Sequence, residues 1–385
     1  MDLLEYQGKQ LFAKHGIAVP SGEVAATIDE AVAAAETIGY PCAIKAQVLI
    51  GGRGKAGGIK IAADAEEARA HADAILGMDI TGPHGEGPFR VDQVWIEGGS
   101  DIAEEYYASI ILDRSAKKLL AMVSAKGGMD IEAVAAEDPA ALVKAHIDPT
   151  QPFAAAAARP IAEQAGLADD VLDKVAEVLP KLAEVAREED ATLIEVNPLI
   201  VTADRKVVAL DSKVTIDGNS LYRHQELAEE EFVADEDPLE AMAKEKGLTY
   251  VKLEGNVGIL ANGAGLCMST LDVVAQAGGA PANFLDAGGG SKAEAIVDAL
   301  TVITSDAKVS AILFNIFGGI TRCDEIANGI VTASKEIGLD LPLVVRLDGT
   351  NSEEGLKILA EADLPNLHQE TTMLDAARKV VELAG

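Results

Sequence analysis

A lysine on a short apolar strand, followed at once by a glycine loop, is the first of three constellations in this sequence that could handle a reacting anion. The run Cys42-Ala-Ile-Lys45-Ala-Gln47-Val leads into Gly51-Gly-Arg-Gly-Lys-Ala-Gly-Gly58. Strand alternation sets Lys45 and Gln47 on one face and Ile44 and Val48 on the other. The glycines then free backbone amides to wrap an anion. This is a reasonable phosphate cradle, although not a Walker A loop, because no Gly-Lys-Ser/Thr opens a helix. A glycine hairpin carrying exposed cations would read the same way.

The second constellation is the pair Leu193-Ile-Glu195-Val-Asn197-Pro and Val207-Val-Ala-Leu-Asp211-Ser-Lys213, joined by a polar turn around Asp204. Folded as a hairpin, these strands set Asn197 opposite Asp211 and Glu195 opposite Lys213, all on one face. One carboxylate and one amide oxygen, completed by phosphates and water, would suit Mg²⁺. A surface hairpin with an ordinary Glu/Lys pair is the alternative. The third is a pair of glycine turns, Asn262-Gly-Ala-Gly and Asn315-Ile-Phe-Gly318-Gly319-Ile-Thr-Arg322, each expected between a strand and a helix. In a doubly wound sheet, such turns share one edge and can share one ligand crevice, with an anion at a helix amino end. Tight strand-to-helix packing would use the same glycines.

These residues need a scaffold, and the chain has ample material for one. Its 385 residues, 49% of them hydrophobic, exceed what a single core usually serves, which predicts two or three domains. From Met1 to about residue 235, short strands, glycine loops and helices follow no simple alternation, as in an α+β domain. After the acidic segment LAEEEFVADEDP, strands and helices alternate: NVGIL, a helix near 266–276, PANFLD, a helix from about Ser291, SAILFNI, a helix near 324–336, LPLVVRL and a helix from about Glu353. That pattern predicts a doubly wound parallel sheet, with a boundary near residue 240. Thr27 with Glu30, Asp64 with Glu67 and Ser291 with Glu294 stand at capping-box spacing. The stripe Val171, Val175, Val178, Leu182 and Val185 keeps its phase across Pro180, which predicts one kinked helix.

Composition narrows the function. The chain carries 63 acidic and 32 basic side chains, a net charge of -31. Its field would repel a nucleic acid, so a phosphate ligand must be met by local groups. The acids are scattered through helices as a solvated surface, and such a surface suggests adaptation to high salt, an idea that full activity in dilute buffer would sink. Cys42, Cys267 and Cys323 are widely spaced, with no zinc pattern. With no signal-peptide-like start and no run long enough to cross a bilayer, the expected home is the cytoplasm, without membrane association.

Taken in order, the stretches EYQGKQLFAKHGI, GGRGKAGGIK, LIEVNPL, NGAGL, PANFLDAGGG, NIFGGITRCD and LVVRLDGTN resemble the succinyl-CoA synthetase β family over almost the whole chain. The resemblance implies an ATP-grasp nucleotide-binding domain at residues 1–240 and a flavodoxin-like CoA-ligase domain at 241–385. It further implies that Lys45, Gly52, Arg53, Gly54, Glu97, Ser100 and Glu105 hold ATP or ADP, and that Asn197 and Asp211 hold Mg²⁺. Asn262, Gly319, Ile320 and Thr321 would line the carboxylate substrate site, and the catalytic Glu195 would orient a phosphohistidine. In this family that histidine belongs to an α subunit, the implied partner. None of His15, His71, His84, His146, His224 and His368 falls in the motifs above.

Two positions depart from the family pattern. Ser212 stands where many relatives have glycine, and Thr321 where valine is common. Pro20 is similar to the ATP-accepting forms. Succinate is the first expectation for the carboxylate. A malate:CoA ligase is the rival, because Thr321 offers an extra hydrogen-bonding group. A carboxylate-amine ligase would lack the paired glycine turns, and a non-catalytic nucleotide sensor would lack Lys45 and the Asn197/Asp211 pair. Whether Trp95 meets nucleotide or packs is open in the sequence.

Overall fold

The computed structural model describes residues 1–82, 85, 87–229, 237–288 and 293–385. His84, most of the acidic segment, Gly289, Gly290 and the Ser291 cap lie outside the described residues. The chain divides into two compact units, Met1–Ala234 and Asp235–Gly385.

The first unit is α+β and contains a two-stranded antiparallel pair, Asp79–Ile80 with Phe89–Arg90, and two larger antiparallel sheets. One orders its strands Gly22–Ala25, Val94–Gly98, Cys42–Ala46 and Ile59–Ala62. Helices Ile28–Ile38 and Ala65–Ile75 close over it through Ala31, Ala34, Ala35, Ala68 and Ala72, packed on Ile44, Ala46 and Ile96. Alanine at helical spacing lets the helix backbones come close to the strands. Both helices start where the capping residues stand: Thr27 Oγ1 accepts from the Glu30 amide at 3.3 Å, and Asp64 Oδ1 from the Glu67 amide at 2.9 Å. The second sheet runs Val207–Ala209, Ala191–Thr202, Ile102–Asp113, Lys118–Ser124 and Val143–Ile147, with Lys213–Ile216 also paired to Ala191–Thr202. The helix Leu172–Glu188 continues through Pro180 as one element and buries Val175, Val178, Leu179, Leu182 and Val185 in the core of this sheet. Each such side chain contributes roughly 1.5–3 kcal/mol.

The second unit holds one six-stranded sheet, ordered Thr249–Lys252, Asn283–Asp286, Val257–Ala261, Ala311–Arg322, Leu343–Thr350 and Leu367–Gln369. The edge strand Thr249–Lys252 is antiparallel to its neighbour, and the other pairs are parallel. Without that edge strand, the parallel strands run 2-1-3-4-5 in chain order, the flavodoxin-like arrangement. Alternate residues feed opposite faces. Leu260, Ile312, Phe314 and Val345 enter one core, and Ile259, Ala261, Leu313 and Val344 enter the other. Apolar residues on both faces are what a parallel sheet between helix layers requires. Among the described residues, no helix is long and apolar enough to cross a membrane.

Candidate functional site

The strand that carries Lys45 has an unexpected neighbour. The helix Glu5–Lys14 lies against it and presents Glu5 and Lys9 from adjacent turns. Glu5 Oε1 sits 2.6 Å from Lys9 Nζ and 3.0 Å from Lys45 Nζ, while Oε2 sits 2.8 Å from Arg53 Nη2. Glu97 closes the other side, 2.7 Å from Lys45 Nζ, paired with Lys9 and accepting from the Trp95 indole at 2.9 Å. Arg53 also donates to the Ala46 carbonyl at 2.9 Å and reaches Asp211 Oδ1 at 3.2 Å. Cations and carboxylates thus balance, three against three.

Water is nearly excluded from this cluster. Glu5, Lys9, Lys45, Arg53 and Glu97 are all buried, whereas Asp211 keeps 37% of its side chain exposed. Burial opposes the charge on Glu5, but Arg53, Lys45 and Lys9 outweigh it and hold its carboxyl well below the usual range. Burial likewise opposes the charge on Lys45, and Glu5 with Glu97 overcomes it, so the ammonium is held above its ordinary value. Desolvation, then the charge of Glu5, pushes Asp211 up. Trp95 is buried, with its ring stacked on Tyr6 at 6.0 Å.

The alternative of a glycine hairpin carrying exposed cations does not describe Lys45 and Arg53, which are buried and engaged by buried carboxylates. The glycine loop also spends amides on itself: those of Lys55 and Ala56 donate to the Gly52 carbonyl at 3.0 and 3.3 Å, and that of Gly58 to the Arg53 carbonyl at 2.9 Å. Gly52 and Gly54, at the loop's exposed rim, flank the buried Arg53.

The hairpin has the expected register, pairing Glu195 with Lys213 and Leu199 with Ala209 on either side of Asn197 and Asp211. Glu195 accepts from the Tyr107 hydroxyl at 3.4 Å, and burial, only partly countered by Lys213, raises its carboxyl. Asn197 is clasped by a loop the sequence did not signal: the Gly128 amide donates to its Oδ1 at 2.8 Å, and its Nδ2 donates to the Met129 carbonyl at 2.9 Å. Glu105 stands exposed beside the same loop, whose Gly127 amide donates to its carbonyl at 3.1 Å. Ser100 is half-buried beyond the strand Val94–Gly98, next to Gly99, whose amide donates to the Pro41 carbonyl. Among the described residues, no group of three or more His, Cys, Asp and Glu assembles as a metal site. Asp211 and Asn197 still offer only oxygen donors, which fits a Mg²⁺ ion that shares its shell with phosphates and water.

Ser212, the departure from the family pattern, is explained by the same helix. Its hydroxyl donates to the Glu5 carbonyl at 2.7 Å, and a Cβ added at Gly8 would meet Ser212 Oγ at 2.5 Å. Serine at 212 thus requires glycine at 8.

In the second unit, Asn262 closes the crevice between the strands Val257–Ala261 and Ala311–Arg322. Its Nδ2 donates to the Phe317 carbonyl at 2.8 Å and to Thr321 Oγ1 at 3.0 Å, and its Oδ1 accepts from the Phe317 amide at 2.9 Å. The turn after Asn262 opens the helix Ala264–Gln276 as expected, with the Gly263 amide bonded to Asp286 at 2.6 Å. The second glycine turn is not a turn. The strand Ala311–Arg322 runs through it to the helix Cys323–Glu336, and its register against Gly349 and Thr350 shifts between Gly318 and Arg322. Gly319, Ile320 and Thr321 form the resulting bulge. The Thr350 hydroxyl pins it at the Gly319 carbonyl (2.9 Å), Thr321 is buried beneath it, and Ile320 stands 80% exposed. The hydroxyl that would favour a hydroxylated acid is thus buried and engaged by Asn262.

Five histidines are described. His15 and His224 flank Glu189, His146 pairs with Asp113, His71 meets the Ile61 carbonyl, and His368 lies in the strand Leu367–Gln369. Glu189, Asp113 and the Ile61 carbonyl are not members of the Lys45 cluster or the Asn262 crevice.

Residues 2–201 match the ATP-grasp domain family, and residues 260–381 match the CoA-ligase family. Succinate–CoA ligase, ADP-forming, subunit beta, from Rubrobacter xylanophilus is 52% identical over 384 residues, covering 100% of this chain and 99% of that one. ATP citrate lyase of Methanothrix soehngenii, in complex with citrate and coenzyme A, shares the fold at a TM-score of 0.73 and 20% identity, covering 99% of each chain. The Methanosaeta concilii enzyme, a D541A mutant in complex with (3S)-citryl-CoA, does so at 0.76 and 20%, again over 99% of each. With one family's domain following the other's in the order the two folds predict, the chain belongs to the family of succinate–CoA ligase β subunits.

Proposed function

We infer that this chain is the nucleotide-binding β subunit of a succinate–CoA ligase, which interconverts succinyl-CoA, ADP and phosphate with succinate, CoA and ATP. The observation that carries this reading is the placement of Lys45 and Arg53 beside Asp211, positive charge next to an oxygen donor, in a chain alike along its full length to an ADP-forming β subunit. Lys45, Arg53 and the Gly52–Gly54 rim face the phosphates, and Glu97, Ser100 and Glu105 complete the nucleotide site. Asn197 and Asp211 would hold Mg²⁺, which brings positive charge against the transferring phosphoryl group. Glu195, which accepts from the Tyr107 hydroxyl and stands two residues before Asn197 on the same strand, suits a hydrogen bond to an imidazole, and we assign it the orientation of the partner's phosphohistidine. Asn262 and the Gly319–Thr321 bulge receive the carboxylate.

Phosphoryl transfer of this kind trades one high-energy bond for another, so the residues contribute positioning and charge rather than covalent chemistry. The histidine that carries the phosphoryl group belongs to an α subunit. Co-expression with that subunit, followed by CoA-dependent ADP release in KCl and Mg²⁺, tests the reading. Release that requires succinate and vanishes without the partner is expected. Preference for malate, or activity of the chain alone, would overturn it.

A further inference from the structure

The buried carboxylate of Glu5 touches all three cations of the cluster, yet the chemistry assigned above leaves it without a task. Glu5 Oε1 is shared by Lys9 Nζ at 2.6 Å and Lys45 Nζ at 3.0 Å, and Oε2 faces Arg53 Nη2 at 2.8 Å without a hydrogen bond of good geometry. Its side chain is 1% exposed, against 9% for Lys45 and 8% for Arg53, so it lies behind the two cations, on the protein side. Lys9, 1% exposed, ties Glu5 to Glu97 across the back of Lys45. The Ser212 hydroxyl holds the Glu5 carbonyl at 2.7 Å, fixing the first turn of the helix.

We propose that Glu5 is a positioning residue of the nucleotide site: its carboxylate aims the Lys45 ammonium and the Arg53 guanidinium at the phosphates. This deepens the reading of Lys45 and Arg53 as phosphate ligands and rests on it. A phosphate can meet both cations at once only if they hold fixed positions. Lysine has a long flexible stem and a point charge, so its direction is set by what it is paired with. Arg53 has a second anchor at the Ala46 carbonyl, and Lys45 has one at the Leu210 carbonyl, 3.1 Å away. Among the described residues, Glu5 is the carboxylate within ion-pair distance of both cations. A carboxamide in its place accepts through one atom only and turns an N–H donor towards a cation, so one of the three cations must swing away. The added positive charge would favour an anion, but misalignment of the order of 1 Å costs more in a site that works by positioning.

The test compares Glu5→Gln, Glu5→Asp and Lys45→Met in the enzyme assembled with its partner subunit, measuring KM separately for ATP, succinate and CoA. Glu5→Gln is expected to raise KM for ATP about tenfold and to leave those for succinate and CoA unchanged. Glu5→Asp, which keeps the charge but withdraws it by one methylene, is expected to give a smaller rise, about threefold, again for ATP alone. It carries the test by itself if the glutamine variant does not fold. A general loss of structure would move all three constants together. An ATP constant that is unchanged or lower in both Glu5 variants, while Lys45→Met raises it, overturns the role of Glu5. If Lys45→Met itself leaves ATP binding intact, the phosphate-site reading fails instead.

Discussion

The Lys45 cluster and the Asn262 crevice solve the same problem, holding polar groups still, by opposite means. Around Lys45, full charges are buried and compensated by full charges, with Glu5, Glu97 and Asp211 against Lys9, Lys45 and Arg53. Around Asn262, neutral groups are bonded to backbone: an amide brackets the Phe317 peptide, a buried hydroxyl lies beneath the bulge, and Ile320 is left in the open. A charged cluster resists the loss of any member, because the remaining charges stay buried and unpaired. A neutral crevice loses about one hydrogen bond at a time. The charged site is therefore brittle, and the neutral one can be tuned.

Lys45→Met should be the most damaging change that sharpens this contrast. It strands Glu5 and Glu97 with fewer cations and is expected to cost about 3–5 kcal/mol in denaturant unfolding, together with most of the activity. Gly349→Ala comes next. A Cβ there would meet the Gly318 carbonyl oxygen at 2.3 Å, so calorimetry should show a loss of about 1–3 kcal/mol and the succinate constant should rise while that for ATP does not. Gly8→Ala is expected to cost about 1–2 kcal/mol through its clash with Ser212, and Ser212→Gly in the same chain should return most of it. Additive losses would show that the pair is not coupled. Thr321→Val removes one hydrogen bond to Asn262 and should cost only about 1 kcal/mol, read as a small fall in Tm.

Acid should separate the two regions as well. A carboxyl held below its unfolded-chain value stabilises the fold above that value and loses the contribution as pH falls through the folded value. Glu5, held well below 4.5, should thus stabilise the first unit throughout the neutral range and release that stability only in strong acid. Acid unfolding of the Glu5→Gln variant should lack this component.

Much of this arrangement was legible because it is local. Doubly wound alternation, the Thr27 and Asp64 caps, the helix through Pro180 and the pairing of Glu195 with Lys213 all follow from period and register over a few residues. Glu5 and Lys9 were not legible as site residues, because an (i, i+4) pair on a helix reads as an ordinary surface ion pair. Only the packing of that helix on the Lys45 strand brings them to Glu97, 88 residues away from Lys9 in sequence. The clasp on Asn197 was missed for the same reason, since its Gly128 partner lies 69 residues away. Gly318-Gly319 was misread because a glycine pair serves a strand bulge as readily as a turn, and the partner strand decides between them.

The most direct test of the division between the two regions is calorimetric titration of MgADP into the assembled enzyme, comparing the natural chain with Lys45→Met and Thr321→Val. The account predicts that Thr321→Val binds the nucleotide as the natural chain does and that Lys45→Met weakens it tenfold or more, about 1.4 kcal/mol. Equal weakening by both substitutions, or none by Lys45→Met, would contradict it.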